Sequence, residues 1–232
     1  MSRLVKATSI ILLVLILDQA LKIWIKTHLT PYDFVHILGN WFIIRYVENY
    51  GMAFGLELGG EWGKLSLSLF RIIAIVGIGW YLLNLIKKEA STGLIISIAL
   101  IFAGAFGNII DSAFYGLIFN NEIPGQMFAG HGYASFLHGR VVDMLYFPIL
   151  EGVFPKWLPA WGGQSYTFFS PVFNIADSAI TIGVLLIICF YGQYFGKHEK
   201  IATENQTVVA EHATENISAE PVTVTNEVHQ VN

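Results

Sequence analysis

Apolar residues in this chain gather into runs. Four of these runs approach the roughly 20 residues needed to cross a bilayer as a helix; they lie near 8–26, 66–86, 93–115 and 172–195. Two longer connections separate them, 27–65 and 116–171, both rich in Trp, Tyr, Phe and Gly. Such segments suit the headgroup level, where amphipathic rings settle. Within the first connection, residues 36–56 carry β-branched and aromatic positions followed by a glycine-rich turn. Short strands are expected there, then a loop dipping toward the membrane. Backbone at that depth must be buried in protein or line a wet cavity. From Glu199 onward the pattern vanishes: six glutamates, many Thr, Asn and Val, and no aromatic residue cannot build a core. The pattern therefore predicts an all-α membrane protein with four transmembrane helices, a small β-containing extracytoplasmic subdomain and a disordered tail. The domains are a four-span membrane domain over 1–198 and an acidic cytoplasmic tail over 199–232.

Composition supports a membrane setting. Of 232 residues, 54% are hydrophobic and only 13% charged, with a net charge of −4, against about a quarter charged in soluble domains. No basic footprint for nucleic acid is present. The single Cys189 excludes an internal disulfide and a cysteine-based zinc site. Arg3 and Lys6 precede the first run as in a signal peptide, but no small-residue cleavage site follows and the helical pattern continues through Lys26, so a retained span is expected. The termini and the short connection between the second and third spans hold Arg3, Lys6, Lys87, Lys88, Lys197 and Lys200; the two long connections hold only Arg45, Lys64, Arg140 and Lys156. The positive-inside bias places both termini in the cytoplasm and the long connections outside.

The aspartates are the informative residues. There are five, and Asp18, Asp111 and Asp177 fall inside predicted spans, while Asp143 sits in the apolar stretch GRVVDMLYF. An ionisable group in a span costs about 2.5–3.5 kcal/mol on insertion scales and usually faces the protein interior. The topology brings Asp18 and Lys22, Asn108 and Asp111, and Asn174 and Asp177 to one depth near the outer face. Asn108-x-x-Asp111 and Asn174-x-x-Asp177 share a spacing that puts each Asn on one helix face with its Asp, where the amide can donate to the carboxylate. Asp18 and Lys22 stand four apart, in the better order for an ion pair, and we read them as structural. Asn108 and Asp111 either tie the third span to its neighbours or belong to a site. Arg71, inside the second span, is expected to pair with an acid or to snorkel. His131 and His138 are read as loop residues.

No nucleophile elbow, HExxH, CxxC or phosphate-binding glycine loop is present. Gly104 and Gly107 are expected to allow close helix packing. Carboxylates and amides remain. Two carboxylates sharing a proton can hydrolyse an amide, because like charges in contact split their pKa values. Carboxylates in membranes also serve proton-coupled transporters, and a structural membrane subunit is a third reading.

Five blocks carry a family resemblance: Asp18-Gln-Ala-Leu-Lys22, Asn49-Tyr-Gly51-Met-Ala-Phe-Gly55, Gly104-Ala-Phe-Gly-Asn108-Ile-Ile-Asp111, Gly139-Arg140-Val-Val-Asp143 and Phe173-Asn174-Ile-Ala-Asp177. In this order they resemble the bacterial lipoprotein signal peptidases (type II) over residues 8–195. The resemblance implies a membrane-embedded aspartic endopeptidase with Asp143 and Asp177 as its catalytic pair. Supporting or substrate-binding roles are expected for Asp18, Lys22, Asn49, Gly51, Asn108, Asp111, Arg140 and Asn174. It implies a diacylglyceryl-modified prolipoprotein cut just before its lipidated cysteine, inhibition by globomycin, and no metal or organic cofactor. Bacterial inner membrane, contact with membrane lipids and a monomer are expected. Two departures stand out. The family usually has Arg where this chain has Ser112, a charge that Arg140 is the candidate to replace. The segment 147–171 is longer than in many members and is expected to form a lid or rim over the cleft.

Overall fold

A computed structural model of the chain describes residues 1–50, 60–120, 126–128, 130–149, 151–167 and 171–194. It divides into two units, Met1–Cys189 and Phe190–Asn232. Everything below concerns the first. The acidic tail and the glycine-rich turn with Gly51 lie outside the described residues.

Among the described residues three helices are long and apolar enough to cross a membrane: α1 (Arg3–His28), α2 (Gly60–Lys87) and α3 (Thr92–Ile110), the last prolonged by a π-helical turn (Asp111–Tyr115) and the short α4 (Gly116–Ile118). The helix α5 (Ile175–Cys189) is apolar but has only 15 residues, so spanning length is reached in three of the four expected places. It starts later than the apolar run because Val172–Phe173 are drawn into a strand and Asn174 caps the helix, its Oδ1 accepting from the Asp177 N–H at 2.8 Å.

The burial of α1 is inverted relative to a water-soluble helix. Leu12, Leu13, Ile16 and Leu17 are exposed, whereas Asp18 and Lys22 are fully buried. With lipid as the solvent this arrangement is favourable: apolar residues face acyl chains and polar groups find partners inside. Ser2 and Ser91 cap α1 and α3, each side chain accepting from the backbone N–H three residues on.

At one end of the helices lies a four-stranded antiparallel sheet of β1 (Phe34–Leu38), β2 (Phe42–Asn49), β3 (Val141–Tyr146) and β6 (Val172–Phe173), in the order β1-β2-β3-β6. The expected strands within 36–56 are β1 and β2, and their β-branched and aromatic residues suit a half-buried pleat. The register pairs Val47 with Asp143 and Asn49 with Val141. β3 is buried on both faces from Val141 to Met144. A core of Ile25, Leu29, Ile44, Tyr46, Tyr115, Phe119, Val142 and Met144 joins α1, the end of α3 and the sheet. Part of the long segment 147–171 forms a separate hairpin, β4 (Glu151–Val153) with β5 (Ser165–Thr167), whose Trp157 and Trp161 are exposed.

Glycines let α3 and α5 touch. A Cβ on Gly104 would lie 2.2 Å from the Ala176 carbonyl oxygen, a backbone atom that cannot swing aside. This is the close packing expected of the small residues. Gly104→Ala is therefore expected to lower stability by about 1–3 kcal/mol, read as a lower unfolding temperature in detergent; an unchanged temperature would show that the two helices can part at no cost.

Candidate active site

The polar centre is built on a buried cation. Lys22, fully buried on α1, bonds Asp18 Oδ2 and Asp111 Oδ2 at 2.8 Å each and donates to Asn108 Oδ1 at 2.9 Å. An ammonium has three N–H donors, and all three are used. Each partner has a second duty. Asp18 Oδ1 accepts the Ala176 N–H at 2.9 Å, holding the first turn of α5. Asp111 Oδ2 accepts the Val142 N–H at 3.3 Å, holding β3. Gln19 donates to Asp18 Oδ2 at 3.1 Å and to Asp111 Oδ1 at 2.9 Å, and its own oxygen accepts from Tyr115 at 3.1 Å. The expected i,i+4 ion pair of Asp18 and Lys22 is present, as one half of a bridge that Asp111 completes.

The two N-x-x-D motifs meet, but not as their spacing alone suggested. Each amide was expected to serve the Asp three residues on. Instead, Asn108 Nδ2 donates across to Asp177 Oδ1 on α5 at 2.8 Å, and Asn174 Nδ2 donates to Asp143 Oδ1 on β3 at 2.7 Å. The reason is local. Asn108 Oδ1 is taken by Lys22 and Asn174 Oδ1 by its capping bond, which turns both NH₂ groups away from their own helices. The π-helical turn beginning at Asp111 further redirects that carboxylate toward Lys22. Asn174 Nδ2 also reaches Asn108 Oδ1 at 3.1 Å, joining the motifs directly. Asn49, at the end of β2, donates to Asp143 Oδ2.

Asp143 thus accepts one amide on each oxygen and is buried, while Asp177 is half-buried. The Asp143 carboxyl is pushed up to about 7, by burial first and then by the negative charge of Asp177; Lys22 and the two Asn donors oppose this without overcoming it. The site therefore holds two interacting carboxyl groups in unequal surroundings, a combination suited to acid–base chemistry. Among the described residues no group of three or more His, Cys, Asp and Glu is placed to hold a metal.

Beside this centre lies a cluster that sequence reasoning missed. Glu48 accepts from Lys26, from the Tyr46 hydroxyl at 2.6 Å and from Arg140 at 3.1 Å. Burial alone would raise the Glu48 carboxyl; the Lys26 charge and the hydrogen bonds from Lys26, Tyr46 and Arg140 outweigh it and hold it below its ordinary value. Tyr133 packs over both cations. Arg140, expected to stand in for the charge missing at Ser112, is engaged here by Glu48. Ser112 is buried and donates to the Asn108 carbonyl at 3.2 Å. Thus Asp18, Lys22, Asn49, Asn108, Asp111, Asp143, Asn174 and Asp177 form one connected site, Arg140 belongs to the adjoining cluster, and Gly51 lies outside the described residues. Gln19 was legible inside the first block; Glu48 carried no signal beyond its place before Asn49.

Fold and site together define a helical membrane protein with a carboxylate–amide centre at one end of its helices. A sequence profile described as signal peptidase (SPase) II matches residues 10–192. The lipoprotein signal peptidase of Porphyromonas gingivalis is 51% identical over 187 residues, covering 78% of this chain and 81% of that protein. The lipoprotein signal peptidase of Amoebophilus asiaticus is 40% identical over 186 residues, covering 79% and 76%. Two solved bacterial membrane enzymes are similar in structure. One has a TM-score of 0.55 at 27% identity, covering 83% of this chain and 91% of its own; the other has 0.52 at 29%, covering 79% and 90%. The chain belongs to the signal peptidase II family, and it is accordingly a membrane-embedded protease, a hydrolase rather than a transporter.

Lys22→Met removes the cation and leaves Asp18 and Asp111 buried against each other. It is expected to cost about 3–5 kcal/mol, seen as loss of the folded, monodisperse protein or a steep fall in its unfolding temperature. A variant as stable as the parent would show that the bridge does not organise the helices.

Proposed function

We propose that this protein is an aspartic endopeptidase that removes the signal peptide from diacylglyceryl-modified prolipoproteins, cutting the bond before the lipidated cysteine. The observation that carries the proposal is the pair Asp143 and Asp177, brought together from β3 and α5 and held by amides from different elements. The curated relatives named as lipoprotein signal peptidases support the substrate class.

In the proposed reaction the ionised Asp177 accepts a proton from water while the water oxygen bonds to the scissile carbonyl carbon. Asp143, whose carboxyl is pushed up to about 7, gives its proton to the carbonyl oxygen. The resulting tetrahedral adduct collapses, the carbon–nitrogen bond breaks, and the cysteine nitrogen leaves with a proton returned through the pair. Asn49, Asn108 and Asn174 keep the two carboxyl groups oriented. Asp18, Lys22 and Asp111 fix the elements that carry them. No metal or organic cofactor enters this scheme.

The proposed setting is the bacterial inner membrane, with four spans including α5, both termini cytoplasmic, and the sheet and site at the outer face. The tail 199–232 is then cytoplasmic. Substrate enters sideways from the bilayer, its signal helix among the spans. Acyl-chain burial, worth about 0.8 kcal/mol per CH₂, favours lipidated over unmodified precursor. The hairpin β4–β5 forms part of the rim, and Arg140 supports that rim through Glu48. The protein acts as a monomer, and globomycin-type cyclic peptides compete for the cleft.

The test is a gel-shift cleavage assay in detergent on a diacylglyceryl-modified prolipoprotein. Asp143→Asn and Asp177→Asn are each expected to cut at least about 10³-fold more slowly than the parent while remaining folded, and the parent is expected to be blocked by globomycin. Cleavage at the parental rate by either variant would contradict the pair.

A further inference from the structure

The charge balance of the proposed pair is incomplete from the residues considered so far. Lys22 is enclosed by Asp18, Asp111 and Asn108, Arg140 is engaged by Glu48, and position 112 is a serine. The remaining helix, α2, carries Lys64, Ser68, Arg71 and Ile75 at intervals of four, three and four, which is one helical face. That face is anchored inward. Lys64 Nζ donates to the Gly139 carbonyl at 2.6 Å, Ser68 Oγ donates to the Leu137 carbonyl at 3.0 Å, and Ile75 is buried.

The anchoring segment leads straight to the site. Gly139 donates to the Ser112 carbonyl at 2.8 Å and precedes Asp143 by four residues, and Leu137 donates to the Ala113 carbonyl at 3.4 Å. Arg71 follows Ser68 by one turn, a rise of about 4.5 Å, away from the sheet. Because α2 and α3 run in opposite directions, this step moves it from the level of Ala113 toward that of Asn108, whose amide holds Asp177. The acids whose charge acts on Arg71 are Asp177 first, then Asp111 and Asp143.

We propose that Arg71 is a positioning residue for the reaction: from α2 its guanidinium faces Asp177, aligns that carboxylate and balances its charge beside Asp143. The inference rests on the reading of Asp143 and Asp177 as the reacting pair. Arg71 acts through Asp177 rather than on the scissile bond. Lys64 on its own helix, Asp111 after α3, Asp143 on β3 and Asp177 on α5 are the charged groups that act on it, with Lys22 and Asp18 of α1 joined to Asp111 in the bridge behind it. Among these cations, Lys22 is committed to Asp18 and Asp111 and Lys64 to Gly139. An arginine suits the task because its planar fork orients a carboxylate as well as attracting it.

The experiment is the pH dependence of kcat and KM for the parent, Arg71→Met, Arg71→Lys and Asp177→Asn, with lipidated prolipoprotein in detergent. Arg71→Met is expected to lower kcat about 10- to 100-fold, with KM changed less than about twofold. Its acid limb should move up by about one pH unit, because losing a neighbouring cation makes a carboxylate hold its proton to higher pH. Arg71→Lys is expected to recover most of kcat and return the limb. Arg71→Gln gives the same reading if the Met variant does not fold. An acid limb that stays in place in Arg71→Met, or a Lys variant no better than Met, overturns the inference. If Asp177→Asn is inactive while Arg71→Met matches the parent, the inference alone falls; if Asp177→Asn also cleaves, the reading of the pair falls with it.

Discussion

The arrangement hangs on one buried ammonium. Lys22 is wholly removed from solvent and satisfied by Asp18, Asp111 and Asn108 at 2.8–2.9 Å. A charge in that position is tolerable only when each donor finds a partner and the counter-charges are fixed. The geometry then propagates. Asp18 reaches the first turn of α5, Asp111 reaches β3, and Asn108 reaches Asp177. One cation on α1 thereby sets where the carboxyl groups of two other elements stand, without touching either of them.

The exchange of amide donors follows from the same constraint. Once Lys22 claims the oxygen of Asn108, and the cap of α5 claims the oxygen of Asn174, only the two NH₂ groups remain to face the carboxylates. Asp143 receives Asn49 and Asn174 in a buried setting, whereas Asp177 receives Asn108 at a half-open position. Two carboxyl groups of the same chemical type are given different surroundings. That inequality is what the proposed peptidase mechanism requires, since one group must keep a proton while the other takes one. The Glu48 cluster buttresses this from the sheet, because Glu48 precedes Asn49 on β2 and pairs with Val142 beside Asp143.

Much of this was legible in the sequence, for physical reasons. Lipid punishes stray charge, so Asp18, Lys22, Asp111 and Asp177 stood out against apolar runs, and the topology of the spans placed them at one depth. The strands β1 and β2 were legible from the β-branched and aromatic residues of 36–56. Four things were not. The π-helical turn at Asp111 leaves no mark in a pattern read at 3.6 residues per turn. The donor exchange depends on competition for amide oxygens between helices far apart in sequence. Arg140 looked available for the site because its partner, Glu48, lies 92 residues away. The start of α5 was displaced by strand pairing of Val172 and Phe173 with β3, a tertiary effect that outweighs the apolar run.

The central claim is that Asp143 and Asp177 work as one proton-sharing pair. The most direct measurement is kcat/KM of the parent enzyme against pH, with a diacylglyceryl-modified prolipoprotein. Asp143 is held protonated up to about 7, so an acid needed for turnover is lost as pH rises through that value. The account predicts a bell-shaped profile whose alkaline limb falls near pH 7. A rate that is flat from about pH 5 to 9, or that rises steadily through 7, would contradict it.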